Sequence, residues 1–457
     1  MKDDKQKLER KLSPRQMQMI ALGGTIGVGL FMGSASTIQW TGPSVLIDYG
    51  IAGLILYIIM RALGEMMYIH PVTGSFAQYA TNFMHPIFGY LTAWSNIFQW
   101  ILIGMSEIIA IGTYCKFWWP NLPGWIPGLV AIVTLCLANL VSVKSFGDLE
   151  YWFALIKVVT IIVMIIIGLG LIIFGIGNHF HPIGFSNLWK YGFFAGGFKG
   201  FLFALSIVLA SYQGIELIGV TAGEAQNPRQ SLVRAIQSTI GRILIFYIGA
   251  IFVIVTIYPW NKLGEVGSPF VETFDKIGIT GAAGIINFVV LTAALSGSNS
   301  GIYSTSRMVY LLAEKKQLPS IFLKLNKHHV PYYPVIAVSF GIFLGVVLNV
   351  ILPFFFKSAN EIFVLVYGSS VLPGMVPWFV ILVSQIRFRK TMTPEQIKQH
   401  PFKTPFSPYS NYLALFFLAL TIFFMALNPE TQIPLIIGVV FLVLMACIYM
   451  VKYRQPK

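Results

Sequence analysis

Three ionisable residues, Lys157, Glu107 and Glu216, lie inside long apolar stretches where a charge is costly. If these stretches cross a bilayer, a central charge costs about 2.5–3.5 kcal/mol on the insertion scale, so such residues are candidates for function. Burial disfavours the charged form of lysine, so Lys157 could bind and release a proton. Alternatively, its ammonium reaches the membrane surface along its apolar stem. Glu216 is either protonated and structural or part of a proton path.

Two runs of residues are suited to interrupting helices. Gly23–Gly29 contains four glycines in seven residues, and Ser211–Glu216 is a polar run between apolar segments. Glycines in membrane helices often serve only close packing. A broken helix instead exposes N–H groups that attract a carboxylate and C=O groups that attract a cation. Both together suit a zwitterionic amino acid, and glycine at 27 and 29 leaves the amides accessible.

Both runs lie in segments that we predict to be membrane-spanning helices. The chain has 457 residues, of which 56% are hydrophobic and 11% charged, more apolar surface than one water-soluble core can bury. About 20 apolar residues cross a hydrocarbon layer of about 30 Å, and windows of that size recur along the chain. The pattern lacks the alternation of barrel strands, so we predict an all-α membrane protein. Its twelve crossings lie near 17–40, 44–69, 87–114, 123–142, 151–177, 199–223, 243–260, 282–305, 335–355, 361–386, 411–428 and 432–451.

The two interrupted runs fall in predicted helices 1 and 6, five crossings apart. An odd offset reverses direction across the bilayer, so helices 1–5 and 6–10 can form inverted repeats. We therefore predict a cytoplasmic segment at 1–16 and a ten-helix core at 17–390, with repeats at 17–177 and 199–390. Two further helices and a short cytoplasmic tail would occupy 391–457.

The basic residues predict the orientation. No cleavage site follows the first apolar run, so we expect no removable signal peptide and both termini in the cytoplasm. With that start, six of the 31 Lys and Arg residues lie outside, in agreement with the positive-inside rule. The six are Lys116, Lys190, Lys199, Lys262, Lys276 and Lys357. The net charge of +14 therefore reflects topology and lipid headgroups, and we expect no nucleic-acid partner.

The motifs of an enzyme are missing from the sequence. It contains no P-loop, no metal-spaced His cluster and no Gly-x-Ser-x-Gly elbow, and its three cysteines have no paired spacing. We therefore expect neither an enzyme nor a cofactor or metal site. A channel or receptor remains a rival to a carrier, because broken helices also line pores.

Six motifs, in order and spacing, carry a resemblance to a known family. The chain resembles the amino acid-polyamine-organocation (APC) superfamily, and within it the bacterial amino acid transporter family, from about Leu12 to Arg389. The last two helices match in hydropathy alone. The motifs are Gly23–Phe31, Arg61–Glu65, Phe146–Ala154, Gly214–Gly219, Gly223–Arg229 and Asn299–Met308.

The resemblance implies the LeuT-like fold of inverted five-helix repeats, transport by alternating access, and a substrate site at the two breaks. By position, the amides of Gly27, Val28 and Gly29 would bind the substrate carboxylate. The carbonyls of Thr25 or Ile26, with those of Ser211, Tyr212 or Gln213, would bind its ammonium. Glu107 would face the substrate side chain.

The resemblance also implies that the Lys157 ammonium lies against helix 1, where sodium-coupled relatives hold sodium. Lys157 would then carry the coupling proton, with Glu216 on its path, or act as a fixed substitute for sodium. This argues against a sodium site built from Ser300, Ser304 and Thr305, whose hydroxyls can bond to their own helix carbonyls.

Four other charged positions are predicted to be structural. We expect Arg61 and Glu65, four residues apart, to form an ion pair. Arg307 should close helix 8 and anchor it at the interface. Asp148 and Glu150 fall in the predicted loop before helix 5, and we assign them no chemistry.

The predicted function is proton-coupled symport of small neutral amino acids such as alanine, serine and glycine, with the D isomers left open. Within the family, Ile286–Thr292, Ser298–Gly301 and Ser304–Met308 are similar to D-serine/D-alanine/glycine permeases. Tyr212, Gln213 and Glu107 would wall the side-chain pocket. A permease for aromatic or other amino acids, or an exchanger, is the alternative. We expect a monomer or weak homodimer whose partners are the amino acid, protons and lipids.

Overall fold

A computed structural model describes residues 19, 23–70, 72, 75–217, 219, 228–263, 268–276, 280–356 and 358–453. Within these ranges the regular elements are helices. In chain order they are α1 (Val28–Phe31), α2 (Gly33–Thr41), α3 (Val45–Ile69), α4 (Ser75–Phe83), α5 (Pro86–Cys115), α6 (Trp125–Val141), α7 (Val143–Phe174), α8 (Asn187–Lys190), α9 (Gly197–Ser211), α10 (Pro228–Ile257), α11 (Pro269–Lys276), α12 (Thr280–Glu314), α13 (Tyr332–Ile351), α14 (Ala359–Gly368), α15 (Val371–Arg389), α16 (Pro394–Gln399), α17 (Tyr409–Leu427) and α18 (Pro429–Lys452).

The helices long and apolar enough to cross a membrane agree with the predicted crossings. Eight such segments occur among the described residues, and the first, Val28–Ile69, includes both α2 and α3. Three shorter apolar helices lie at Trp125–Val141, Gly197–Ser211 and Ile243–Ile257. The predicted all-α membrane fold of about twelve crossings is confirmed.

Burial separates a central group of helices from a peripheral one. The apolar windows of α5 and α12 are 83% and 78% buried, whereas those of α17 and α18 are only 28% and 22% buried. α5 packs against α12, α13, α15 and α4, so it stands near the middle of the bundle. The exposed apolar faces of the last two helices suit contact with lipid.

Several helix bounds differ from the prediction. α10 begins at Pro228, well before 243, because its first turns are polar and carry no hydropathy signal. The predicted crossing at 361–386 is divided into α14 and α15 by a turn at Ser369 and Ser370. The short helices α4, α11 and α16 connect crossings and were missed, since none is long enough to span a bilayer.

Candidate functional site

The first predicted break is present at the start of the described chain. Residues 23–25 are helical, Ile26 and Gly27 leave the helix, and α1 begins at Val28. Gly27 is extended, with φ −128° and ψ −161°, so the hydrogen-bond ladder is interrupted. An added Cβ at Gly27 would lie 2.7 Å from Glu107 Oε1, so a side chain at this position would meet that carboxylate.

The second break follows α9, which ends at Ser211. The chain turns through 212–216 and is helical again at Leu217. Gly214 has φ +113°, a conformation that favours glycine. Its α-carbon faces the Gly24 carbonyl so closely that a Cβ would collide with it. The two breaks are therefore in direct contact, as expected for one shared site.

Two tyrosine hydroxyls reach the main-chain carbonyls of these breaks. Tyr247 on α10 lies 2.6 Å from the Thr25 carbonyl and 2.8 Å from the Ser211 carbonyl. Tyr367 on α14 donates to the Ala210 carbonyl at 2.9 Å. A hydroxyl has a single proton, so Tyr247 can donate fully to only one of its two carbonyls. Sequence reasoning missed both tyrosines, because neither lies in the motifs.

Tyr212 and Gln213 extend from the second break to neighbouring helices. The buried Tyr212 ring stacks on Tyr247 at 4.6 Å, and its hydroxyl donates to the Tyr49 carbonyl on α3 at 3.1 Å. Gln213 donates to the Val371 carbonyl on α15 at 3.2 Å. Their predicted role as pocket walls stays a prediction.

Glu107 lies beside the first break. Its Oε1 is 3.5 Å from the Val28 amide, and the carboxylate also faces Gly27 and Gly297, where any Cβ would crowd it. Among the described residues its Oε2 has no hydrogen-bond partner. The carboxylate thus touches one of the amides predicted to bind the substrate. At Gly29 an added Cβ would meet the Tyr367 hydroxyl, so this position has no spare room.

Lys157 on α7 is fully buried against the same break. Its Nζ donates to the Gly23 carbonyl at 2.6 Å, the Ile26 carbonyl at 3.0 Å and Ser296 Oγ at 2.8 Å. The ammonium therefore does not reach the membrane surface along its stem. It also occupies the Ile26 carbonyl, one of those predicted for the substrate ammonium.

Glu150 corrects a sequence-based assignment. It lies inside α7 and is fully buried, not in a loop as predicted, because the helix begins at Val143. Its Oε1 accepts a hydrogen bond from Ser296 Oγ, and its Oε2 accepts from Asn299 at 3.2 Å. Its spacing of seven residues from Lys157 places the two on one helix face, a signal that could have identified it.

Glu216 ties the second break to two helices. Its carboxylate accepts from the Gly214 amide at 3.0 Å, from Gln99 on α5 at 3.3 Å and from Trp378 on α15 at 3.3 Å. This arrangement fits the structural alternative for Glu216. Its proposed place on a proton path stays a prediction.

The predicted ion pair of Arg61 with Glu65 is wrong. Glu65 pairs with Arg389 on α15, Nε to Oε1 at 2.7 Å and Nη2 to Oε2 at 2.9 Å. Arg61 instead lies over the Phe402 ring, 3.9 Å from its centroid, and donates to the Lys403 carbonyl. The segment before α17 folds back over α3, which sequence spacing could not reveal.

Two further predictions on α12 have a structural outcome. Arg307 does not end this helix, which continues to Glu314, and its guanidinium lies buried 3.6 Å from the Tyr303 ring centroid. The prediction that Arg307 closes this helix and anchors it at the membrane interface is therefore wrong. Ser304 donates to the Gly301 carbonyl at 3.5 Å, so its hydroxyl does bond within its own helix, whereas no such bond is present for the hydroxyls of Ser300 and Thr305 among the described residues.

Comparisons with known proteins agree with this architecture. The amino acid permease family matches residues 16–457. The chain is 61% identical to the probable threonine/serine transporter YbxG of Bacillus subtilis, covering 97% of this chain and 95% of that protein. It is 41% identical to the gamma-aminobutyric acid permease of the same organism, covering 89% and 86%.

A solved structure shares the fold at low sequence identity. The crystal structure of the Eremococcus coleocola manganese transporter, in complex with an aromatic bis-isothiourea substituted compound, superposes with a TM-score of 0.66 and 11% identity. The match covers 98% of this chain and 97% of that one. Together with two contacting helix breaks inside a multi-pass helical bundle, these matches show that the chain belongs to the amino acid permease family and is a membrane transporter, not an enzyme.

Proposed function

We propose that this protein is a secondary active transporter that couples uptake of small neutral amino acids to protons across the bacterial cytoplasmic membrane. The observation that carries the proposal is the buried Lys157 ammonium, bonded to two carbonyls of the first helix break and to Ser296. A compact cation at this position replaces a metal ion, and unlike a metal it can lose its charge by releasing a proton.

The number of donors links protonation to the shape of the break. Protonated lysine has three N–H donors, and Lys157 has three oxygen partners. The neutral amine has only two donors. After loss of the proton, the amine can keep all three partners only if the Ser296 hydroxyl donates to it, and its bonds to the Gly23 and Ile26 carbonyls are no longer charge-assisted. Loss of the proton therefore weakens the hold of α7 and α12 on the first break. Substrate binding at that break and proton binding at Lys157 would then be linked.

The substrate ends would bind at the main chain of the two breaks. The amides of Gly27, Val28 and Gly29 would take the carboxylate, in place of the present contact between Glu107 and Val28. The ammonium would bind at the Thr25 and Ser211 carbonyls, after the Tyr247 hydroxyl that now contacts both has moved. This pairing of ends would be the same for any zwitterionic amino acid.

Serine and threonine are the side chains we favour, ahead of alanine and glycine. Glu107 Oε2 is buried at the break without a partner among the described residues, so a substrate hydroxyl could donate to it. A site built to bond a hydroxyl discriminates strongly against the analogue without one. The 61% identical relative is itself named a probable threonine/serine transporter. The similarity to D-serine/D-alanine/glycine permeases makes D-serine a further candidate.

The test is uptake of labelled serine by purified protein in liposomes with an imposed pH gradient. We expect accumulation driven by an acidic exterior without sodium, strong competition by threonine, and only weak competition by alanine and glycine, which lack the hydroxyl. If phenylalanine, lysine or γ-aminobutyrate displaces serine while the small amino acids do not, the substrate class is wrong. A requirement for sodium with no response to the pH gradient would overturn the coupling.

The same vesicles separate a carrier from its rivals. Exchange of internal unlabelled for external labelled serine at a saturable rate is the property of a carrier, whereas a channel gives no such counterflow. Uptake that occurs only against internal amino acid, whatever the pH gradient, would identify an exchanger.

A further inference from the structure

We propose that Glu150 carries the coupling proton between Lys157 and the cytoplasm, by way of the Ser296 hydroxyl. This inference rests on the proposed proton coupling and adds an exit route to it. Glu150 is not among the residues that the sequence suggested for coupling, and its placement is decided by the folded chain.

The three side chains form a continuous hydrogen-bonded chain in the protein interior. Lys157 Nζ lies 2.8 Å from Ser296 Oγ, and the same hydroxyl donates a hydrogen bond to Glu150 Oε1. All three residues are completely buried. Lys157 and Glu150 are two helical turns apart, about 10 Å along the axis. The lysine side chain points toward the start of α7, and Ser296 bridges the gap that remains.

The transfer can be written with every proton accounted for. An N–H bond of the Lys157 ammonium breaks as the Ser296 oxygen takes that proton, and the original Ser296 proton moves to the Glu150 carboxylate. Ser296 is again a hydroxyl, Lys157 is a neutral amine, and Glu150 is a neutral acid. When the carrier opens toward the cytoplasm and water reaches Glu150, the acid gives its proton to that water, and its carboxylate is restored. The buried ion pair becomes a neutral pair in the first step, so no uncompensated charge forms there.

The position of Glu150 along α7 suits an exit. It lies two residues from Asp148, which is exposed, near the end of α7 that the predicted topology places in the cytoplasm. Lys157 is two turns deeper. A proton that moves from Lys157 to Glu150 therefore travels toward the cytoplasmic end, the direction that uptake requires.

The other acid near Lys157 is less suited to this task. Glu107 on α5 also lies beside the first break, where its Oε1 contacts the Val28 amide and its carboxylate packs on Gly27 and Gly297. The described hydrogen bonds do not connect it to Lys157. Tyr247 of α10 also faces this break, but its hydroxyl contacts the Thr25 and Ser211 carbonyls.

A purely structural role for Glu150 makes a different prediction. Its Oε2 accepts from Asn299, whose Oδ1 accepts from Asn139 at 2.7 Å, so the carboxylate also links α7 to α12 and α6. If that link were its purpose, removing Asn299 should do the same damage as removing the charge of Glu150. If Glu150 carries a proton, removing the Ser296 hydroxyl should abolish proton coupling, whereas removing Asn299 should leave proton coupling intact.

The experiment uses the full-length protein in liposomes that contain a pH-sensitive dye. In Glu150→Gln, a variant of the same size, we expect serine-induced proton entry and pH-driven accumulation to fall about 100-fold, as for loss of a positioned proton-transfer group. Counterflow, which needs no net proton movement, should persist. Ser296→Ala should show the same loss of coupling with the same persistence of counterflow. Ser296→Thr, which keeps the hydroxyl, should retain coupling. Asn299→Ala should also retain it.

Each result decides the inference. Proton entry at the wild-type rate in Glu150→Gln would overturn it, as would equal loss of coupled uptake and counterflow in Glu150→Gln and Asn299→Ala. If Glu150→Gln does not fold, the Ser296→Ala and Ser296→Thr pair decides, since equal coupling in both would exclude the hydroxyl route. Wild-type protein that takes up serine without proton entry would overturn the proposed coupling as well.

Discussion

Two clusters of buried charge hold this bundle together in different ways. The proposed transport centre comprises Lys157, Ser296 and Glu150 beside the first helix break. The Glu65–Arg389 clamp joins α3 to α15, and Glu65 also accepts from the Thr404 amide and from Gln385 at 3.1 Å. In the clamp the charges touch directly in a two-pronged pair, at 2.7 and 2.9 Å. In the transport centre the charges are separated by a hydroxyl.

The difference is that the charges of the clamp are permanent, whereas those of the transport centre can be neutralised. Arginine keeps its proton in proteins, and a two-pronged bond to a carboxylate fixes both groups in one geometry. Lysine can lose its proton, and its oxygen partners at the break are uncharged, so the same position can exist in two charge states. We therefore expect changes in the clamp to lower stability, and changes in the transport centre to uncouple transport.

The largest effect is expected from a bulky residue at the break. Gly29→Leu should abolish serine binding, because the side chain would occupy the space of the Tyr367 hydroxyl and cover the amides of α1. Binding is measured by the thermal shift that serine produces in purified protein. Gly50→Leu on α3 is the matched control, since nothing lies within 4 Å of a Cβ there. Unchanged affinity in well-folded Gly29→Leu would argue against the site.

Replacing the lysine should separate coupling from exchange. Lys157→Ala should lose about 100-fold of pH-driven serine accumulation, the scale of a missing proton-transfer group, while counterflow continues. Lys157→Arg keeps a positive charge that cannot be released. Coupled uptake in the arginine variant would mean that Lys157 is a fixed substitute for a metal ion and not the proton carrier.

Breaking the clamp should affect stability instead. Arg389→Lys keeps the charge but loses the two-pronged bond to Glu65, and we expect a loss of about 1–3 kcal/mol because the carboxylate is buried. The melting temperature in detergent measures this loss. Arg387→Lys, at an exposed position two residues away, should change it little. If Arg389→Lys had a normal melting temperature but defective proton coupling, the roles assigned to the clamp and to the transport centre would be reversed.

The smallest expected effect is on the pH dependence of stability, through His400 in the segment between α16 and α17. Burial lowers the pKa of His400 below its usual 6.5, and its Nδ1 accepts from the Phe402 amide at 3.0 Å. The neutral form therefore stabilises the fold above pH 6.5, and that contribution is lost as the pH falls from 6.5 through the lower pKa of His400 in the folded protein. We expect the melting temperature to fall a few degrees less on acidification in His400→Gln than in wild type. The exposed His328→Gln should follow wild type.

Hydropathy and local composition were enough to predict much of the fold. A crossing needs a continuous apolar window, which is a local property, so the helical class and the approximate crossings could be read directly. The two breaks were also predictable, because glycines at 23–29 and polar residues at 211–216 stand out in apolar surroundings. Lys157 was found for the same reason. The extent of α10 was not, since polar helical turns carry no hydropathy signal.

Partners across the bundle could not be predicted. Spacing predicted Arg61 as the partner of Glu65, but the partner is Arg389, 324 residues away, because the segment before α17 folds over α3. Glu150 was placed in a loop, yet α7 carries it into contact with Ser296, 146 residues away. Periodicity describes one helix at a time, and it contains no information on which face of another helix will lie opposite.

The sequence by itself thus determined that the chain spans a membrane as helices, where two of them break, and that a lysine lies within the fifth crossing. Only the tertiary structure decided which residues contact the two breaks and the lysine. It brought the breaks together at Gly214 and Gly24, and placed Tyr247 on their carbonyls. The physical reason is that a helix break, like a buried charge, is costly until other helices satisfy it, and those helices are distant in sequence.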